Sequence, residues 1–242
     1  MADTNQLHLI KQGVEAWNSW RQQNPSIRID LSGIDLSSLT LSGIDLTGAN
    51  LQDVNFDKAN LAEAMLSSAN LSESSLVEAN LTGANLNNAN VSDADLLKSR
   101  LVGANLSRAH LAKTDLSGAD LTDAILAESN MHLVNLSDAT MVRANLENCK
   151  IREANLVKAN LAESNLRYAD LAQSDMTQAS LKGANLERTS LIHVDLRGAN
   201  LHGVQEFTIV QFSKVQSLVA AQFDEQIASH LQEDYPQLFL HV

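Results

Sequence analysis

The stretch ANLTGANLNNAN, residues 79 to 90, repeats one five-residue phrase, and the same phrase recurs through most of the chain. Starting at Leu31, every fifth residue through Leu201 is large and apolar, without one insertion or deletion. Of these 35 centres, 29 are leucine. The residue two before each centre is Ala at 20 positions and Ser, Thr or Cys at eight, and the residue between them is Asn or Asp at 25. A period this regular predicts a repeat architecture.

Turns must close each unit, because a period of five fits neither the 3.6-residue helix nor the two-residue alternation of a strand. We predict one short extended piece per repeat, in which the centre and the small residue point inward and the Asn or Asp points outward. The corner then needs a positive φ two residues after the centre, at the third position of a type II turn. Nine of the ten glycines lie in the repeats, and all nine occupy that position. They are Gly33, Gly43, Gly48, Gly83, Gly103, Gly118, Gly183, Gly198 and Gly203.

Units such as ADLTD, ANLSR and ANLVK resemble the A(D/N)LXX repeats of pentapeptide-repeat proteins, a family especially numerous in cyanobacteria. The resemblance covers residues 29–203. It implies an all-β solenoid, a right-handed quadrilateral β-helix with four repeats per coil, although the period alone shows neither the handedness nor the number four. Residues 20 apart would then stack at the ~4.8 Å spacing of neighbouring strands, and the repeats would form about nine coils in a rod of roughly 42 Å.

Both ends of such a rod expose apolar core and unpaired backbone, so we expect α-helical caps there. Residues 1–28 form the predicted N-terminal cap, since residues 4 to 23 carry apolar side chains at helical spacing and stop at Asn24-Pro25. The first four small positions are filled by bulky residues instead, namely Ile29, Ile34, Leu39 and Ile44.

Residues 204–242 form the predicted C-terminal helical cap, because the register fails when Glu206 falls where a centre should be. Apolar residues from Ile209 to Val219 follow helical spacing, and Asp224 is the expected N-cap of a second helix with Ile227 and Leu231. This tail either closes the rod or closes it and also pairs two copies into a homodimer. The sequence leaves both alternatives open.

Composition limits the partners. The 242 residues carry a net charge of −12, which argues against direct binding to nucleic acid or to an anionic membrane. A single cysteine and no leader-like or spanning apolar segment predict a cytoplasmic protein without a membrane anchor.

The sequence shows no convincing set of catalytic residues, so we expect that the protein is not an enzyme and that it has no cofactor and no metal site. Cys149 occupies a small inward position, where a packed thiol is the simpler interpretation. The seven histidines, including His241, show no metal-ligand spacing and no catalytic triad pattern.

Acidic residues form two candidate columns at 20-residue spacing. Asp53, Glu73 and Asp93 would stack on one edge, where like charges disfavour folding by a few tenths of a kcal/mol per pair. A second face would carry Asp35, Asp95, Asp115, Asp175 and Asp195. The columns either solvate the rod and serve its turns, or form an interaction surface that binds a cation or imitates the phosphate backbone of DNA.

The sequence therefore predicts a non-enzymatic scaffold that binds a protein partner it does not name. The alternative implied by the resemblance is a DNA mimic that modulates DNA gyrase or another topoisomerase. Charge weakens this alternative, because the repeats hold 22 acidic and 13 basic residues, whereas roughly 42 Å of duplex carries about 25 negative charges.

Overall fold

A computed structural model describes residues 4–240 and folds the repeats into a four-sided solenoid. The outward residue of each repeat forms a parallel β-bridge with the residue 20 positions further on, from Asp30 with Asn50 to Asn185 with Gln205. An offset of 20 means four repeats per coil. Within the described residues no strand extends beyond such a bridge, so the extended piece of each repeat is shorter than a conventional strand.

Main-chain hydrogen bonds join each coil to both neighbours. Asn85 donates its N–H to the carbonyl of Ala64 in the coil before it at 2.9 Å, and Asn105 in the coil after it donates its N–H to the carbonyl of Ala84 at 2.9 Å. Most corners are closed by a further bond, such as that from the N–H of Ala89 to the carbonyl of Leu86 at 2.9 Å. The third turn position has a positive φ, 67° at Gly83 and 56° at Asn88, so the predicted corner is confirmed.

The predicted inward and outward assignment is also confirmed. All 35 centres are buried, as are the alanines two residues before them, and one cluster of these side chains runs the length of the rod. At small positions, the hydroxyl groups of Ser74, Thr114, Ser174 and Thr189 donate to main-chain carbonyls, whereas those of Ser99 and Ser164 have no partner among the described residues. Thr114 Oγ1, for example, donates to the carbonyl of Val91 at 2.7 Å. Buried polar groups of this kind need such partners.

Two helices precede the repeats, α1 over Thr4–Ile10 and α2 over Val14–Gln23. The apolar pattern over residues 4 to 23 is helical, as predicted, but the chain breaks at Gly13, where φ is 106°. Ile10 and Trp17 are fully buried and belong to the same cluster as the repeat core. Asn24 is the C-cap of α2, at the predicted stop.

Side chains of α1 and α2 pair with the backbone of the first coil. Gln6 donates from Nε2 to the carbonyl of Arg28 at 3.0 Å and accepts the N–H of Asp30 at 2.9 Å. Asn18 makes the same two-way contact, with the carbonyl of Gly43 and the N–H of Asp45, both at 2.9 Å. Each amide thus replaces the backbone of a missing neighbouring strand.

The prediction for the tail is wrong between residues 215 and 224. A 3-10 helix spans Ile209–Lys214, but the helical spacing does not continue to Val219. The chain instead resumes the coil two residues late, with bridges from Asp195 to Ser217 and from Asn200 to Gln222. Leu218 and Phe223 become buried centres of two further repeats. The 3-10 helix absorbs the two extra residues, so the coil backbone can pair again beyond it.

The chain then forms α3 over Glu225–Asp234 and a 3-10 helix over Pro236–Phe239. Asp224 is the N-cap residue of α3, as predicted, but its carboxylate does not bond to the helix. It accepts the N–H of Gly203 at 3.0 Å and lies 3.2 Å from His202 Nδ1, so its pKa is lowered. The N–H of Leu218 donates to the carbonyl of Leu238 at 2.7 Å, which ties the end of the chain to the additional repeats.

Candidate interaction surface

The acidic edge is the column of Asp53, Glu73 and Asp93, which the structure places at the third turn position of successive coils. Their φ values are 58°, 62° and 57°, and all three side chains are exposed. Each N–H donates to the next coil, for example from Asp53 to the carbonyl of Ser72 at 3.0 Å, so the backbone is held while the carboxylates face solvent. Glu73 Oε1 accepts a hydrogen bond from Gln52 Nε2 at 3.1 Å. Among residues 4–240, none of the three carboxylates forms an ion pair with Lys or Arg.

Some acidic residues at the third turn position on other edges form ion pairs one coil away. Arg143 pairs with Asp123 at 2.7 Å, and Arg108 pairs with Glu128 at 3.0 Å. The hydrogen bond from Arg143 lowers the pKa of Asp123. The acidic edge differs from these edges because it stacks three carboxylates in consecutive coils, with Lys113 at the same turn position in the coil after Asp93. Sequence spacing located the column but did not show which of the other acidic residues are paired.

The five residues of the second predicted column lie on one side of the rod, as predicted, but their carboxylates form hydrogen bonds within the turns. Each of the five accepts, through Oδ1, the backbone N–H two residues further on, at distances of 2.9 to 3.1 Å. Asparagine does the same in this column, as Asn155 does for Val157 at 3.1 Å. The contact from Ser37 lowers the pKa of Asp35. The column therefore needs an Asx side chain, not a charge. Its members are Asp35, Asp95, Asp115, Asp175 and Asp195.

Only two pairs in this second column lie one coil apart, Asp95 with Asp115 and Asp175 with Asp195. Asp35 is separated from them by Asn55 and Ser75. Asp195 is 5% exposed, and Arg197 lies 2.6 Å from its carboxylate. The structure thus does not bring the five together into one charged surface.

Negative charge is concentrated at one end of the repeats, a feature that could have been read from the sequence by counting coil by coil. Residues 29 to 88 hold eight acidic residues and one basic residue, whereas residues 89 to 203 hold 14 acidic and 12 basic residues. Between Lys58 and Lys98 there is no Lys or Arg. Asp53 and Glu73 of the acidic edge lie within residues 29 to 88, and Glu73 and Asp93 lie between the two lysines.

Groups that could perform chemistry are buried or scattered. Cys149 is 1% exposed, its Sγ donates to the carbonyl of Leu126 at 2.9 Å, and burial raises its pKa to about 11. Within residues 4–240, no three His, Cys, Asp or Glu side chains are grouped as metal ligands would be. His241 lies outside the described residues. None of the helices in the described part of the chain has the length and apolarity to cross a membrane.

The 20-residue register, the buried leucine columns and the positive-φ corners define a solenoid of five-residue repeats. The model described as "pentapeptide repeat region" matches residues 49–121, and that described as "pentapeptide repeats (8 copies)" matches residues 29–67, 129–167, 139–178 and 169–204. The chain belongs to the pentapeptide repeat family, whose fold is the right-handed quadrilateral β-helix. No curated protein matches it significantly.

Several solved pentapeptide repeat structures are similar to the chain. HetL, involved in heterocyst differentiation regulation in Nostoc sp. strain PCC 7120, is 29% identical, with 86% of this chain and 96% of HetL covered and a TM-score of 0.42. QnrB1, a plasmid-mediated fluoroquinolone resistance protein, is 16% identical over 85% of this chain and 98% of its own, with a TM-score of 0.39. Rfr23 from Cyanothece 51142 is 25% identical over 52% and 91%, with a TM-score of 0.32.

Proposed function

We propose that this protein is a non-enzymatic, cytoplasmic scaffold that binds a protein partner through the acidic edge of its β-helix. The observation that carries the proposal is the stacking of Asp53, Glu73 and Asp93 in consecutive coils with no ion pair to Lys or Arg among the described residues. The turn does not need these carboxylates, because Gly33 occupies the same position in the same column. Repulsion between neighbouring carboxylates disfavours the free protein slightly, and a partner with Lys or Arg along its surface would relieve it.

The scaffold consists of about nine coils over residues 29–203, held between end segments 1–28 and 204–242 that act as caps. The bonds from Gln6 and Asn18 to the first coil support the N-terminal cap. Burial of Leu231 and Leu238, in the same cluster as the repeat core, supports the C-terminal cap. The structure adds two repeats, over residues 215 to 224, to the inner part of the C-terminal segment.

A comparison of two triple variants tests the acidic edge. The first neutralises it with Asp53→Asn, Glu73→Gln and Asp93→Asn. The second is a matched control that removes three exposed acidic side chains from the third turn position on other edges, with Glu63→Gln, Asp138→Asn and Glu163→Gln. Equal urea midpoints for both would exclude a folding defect.

We expect the wild-type protein and the control variant to capture a protein partner from native lysate. The edge variant should capture it weakly or not at all. Binding of the partner to the wild-type protein should also weaken as the salt concentration rises, because salt screens exposed charges. Equal capture by both variants would exclude the acidic edge as the contact.

The second candidate function is DNA mimicry toward a topoisomerase, and the charge distribution favours it locally. The first three coils, residues 29 to 88, carry eight acidic residues and one basic residue. They span roughly 14 Å, a length over which duplex DNA carries about eight charges. A supercoiling assay with DNA gyrase tests this function, which predicts inhibition that the edge variant loses and the control keeps. Unchanged supercoiling at micromolar protein would exclude it.

A further inference from the structure

The N-terminal end of the rod has four sides, and α1 and α2 satisfy the backbone on only two of them. Gln6 pairs with the side that contains Asp30, and Asn18 pairs with the side that contains Asp45. Trp17 Nε1 also donates to the carbonyl of Asp45 at 2.7 Å. The other two sides, centred on Asp35 and Thr40, receive no such bond from any described residue.

The free groups on these two sides form a regular edge. In every later coil the corresponding N–H donates to the coil before it, as Asn55 does to Ile34 at 2.9 Å and Asn60 to Leu39 at 2.8 Å. The N–H groups of Asp35 and Thr40 and their carbonyls have no partner within residues 4–240. Both residues are exposed, whereas Asn55 and Asn60 are half-buried. We name residues 34 to 42 the open edge.

Bulky apolar side chains accompany the open edge. Ile34 and Leu39 occupy small positions that hold Val54 and Ala59 in the next coil. They are only half-buried, although they pack against the core cluster, while Val54 and Ala59 are buried. The open edge therefore combines unpaired main-chain groups with two apolar contacts five residues apart.

We propose that the open edge binds a peptide segment of a partner protein by strand addition, with two short extended pieces joined by a corner that follows the corner at Ser38. A polypeptide backbone supplies the matching N–H and carbonyl groups, and large apolar residues five apart in the peptide would cover Ile34 and Leu39. A second copy of this chain fits less well, because two short sides of one rod end offer far less than the ~800 Å² per partner of a stable interface. This surface adjoins the acidic edge at Gly33 but uses main-chain groups and apolar side chains instead of carboxylates, so neither proposal depends on the other.

The chain itself supplies a probe, the synthetic peptide ANLVKANLAESN with the sequence of residues 154–165. In the rod this segment forms the bonds that the open edge lacks: the carbonyl of Ala154 accepts the N–H of Asp175 at 2.9 Å, and that of Ala159 accepts the N–H of Ser180 at 2.9 Å. Asp175 and Ser180 lie on the same two sides of the rod as Asp35 and Thr40.

Amide hydrogen exchange on the full-length protein, followed by NMR, gives the first readout. We expect the amides of Asp35 and Thr40 to exchange rapidly in the free protein, and those of Asn55 and Asn60 to be protected. Adding the peptide should shift and protect the first two, and a scrambled peptide should not. Protection of Asp35 and Thr40 in the free monomer, or no shift at millimolar peptide, would overturn the proposal.

A pair of variants gives the second readout. Thr40→Pro removes one donor at a position where an edge tolerates proline, and Thr40→Ala keeps it. We expect peptide affinity to fall about fivefold with Thr40→Pro, the effect of one lost main-chain hydrogen bond, and to stay unchanged with Thr40→Ala. Equal affinities would overturn the proposal. So would protection that depends on protein concentration without peptide, because the occupant would then be a second copy.

Discussion

The small inward residue is the position at which one side chain most directly controls coil stacking. Ala104 is fully buried, and Ala84 and Ala124, which lie 20 residues before and after it, are buried as well. The three side chains follow one another along the rod axis at the spacing of adjacent coils. A closely packed interior of this kind has no room for three additional carbon atoms.

We therefore expect Ala104→Leu to lower the free energy of unfolding by about 1 to 3 kcal/mol, through overpacking of two neighbouring coils. Val102→Glu, two residues earlier at a half-exposed turn position, should cost less than about 0.5 kcal/mol. Urea denaturation of both variants measures the difference. Similar losses would contradict the inward and outward assignment.

Cys149 should be inert in the folded protein. Burial and the bond to the carbonyl of Leu126 favour the neutral thiol, and burial raises its pKa to about 11. A thiol-reactive dye at pH 8 should therefore label it only at the rate of unfolding. Because the folded pKa is raised, its contribution to stability is complete below the unfolded value of about 8.5 and is lost as the pH rises toward the folded value. Rapid labelling under native conditions would contradict the packed position.

At the scale of elements, α2 contributes main-chain partners rather than only apolar cover. Asn18 holds both the N–H of Asp45 and the carbonyl of Gly43, while Trp17 holds the carbonyl of Asp45. Arg21 adds a contact from Nη2 to the carbonyl of Thr47 at 3.3 Å. A terminal coil without these partners would leave backbone groups partly buried and unpaired, which costs more than the bonds themselves contribute.

Asn18→Ala should thus lower the free energy of unfolding by about 1 to 2 kcal/mol, because two backbone groups lose their partner. Ser19→Ala is the matched control, since Ser19 is exposed on the same helix. It should change stability by less than about 0.5 kcal/mol. Thermal and urea denaturation of the two variants provide the measurement, and equal effects would show that α2 acts through apolar packing alone.

At the scale of the whole molecule, the C-terminal segment covers the last coils and also carries the two most exposed large apolar residues of the part of the chain that the structure describes. Val210 is 69% exposed and Leu240 is 63% exposed, although Phe212, Leu231 and Leu238 nearby are buried. The buried residues support a cap, and the exposed ones support a homodimer contact. Both roles were left open by the sequence, and association in solution distinguishes them.

Deletion of residues 204–242 should cause aggregation or open-ended oligomers, because it uncovers Leu191, Leu196 and Leu201 together with an unpaired edge. A second variant that lacks only residues 225–242 keeps the two additional repeats, so it should aggregate less than the variant that lacks residues 204–242. Sedimentation of these forms and of the full-length protein is the measurement. A well-behaved monomer after the longer deletion would contradict the cap, and a monomeric full-length protein would contradict the homodimer.

The sequence alone determined the repeat, its corners and its core. These features are local: each five-residue unit contains its own centre, small residue and turn, so Leu86, Ala84 and Asn88 predict their environments without reference to the rest of the chain. The nine glycines placed the corners for the same reason, since a positive φ is a property of a single residue. The acidic edge also followed from spacing, once the resemblance supplied four repeats per coil.

Only the tertiary structure decided the ends and the pairing of charges. The repeats resume at Leu218 two residues later than the period of five requires, and in the sequence this shifted spacing looks like helical spacing. The shifted repeats are held by bridges to residues 22 positions earlier in the chain. The contacts of Gln6 and Asn18 join residues more than 20 apart with no shared motif. The compensation of Asp123 by Arg143, and its absence at Asp53, depend on side-chain conformations across adjacent coils. Such long-range contacts form between side chains and backbone that no local period specifies.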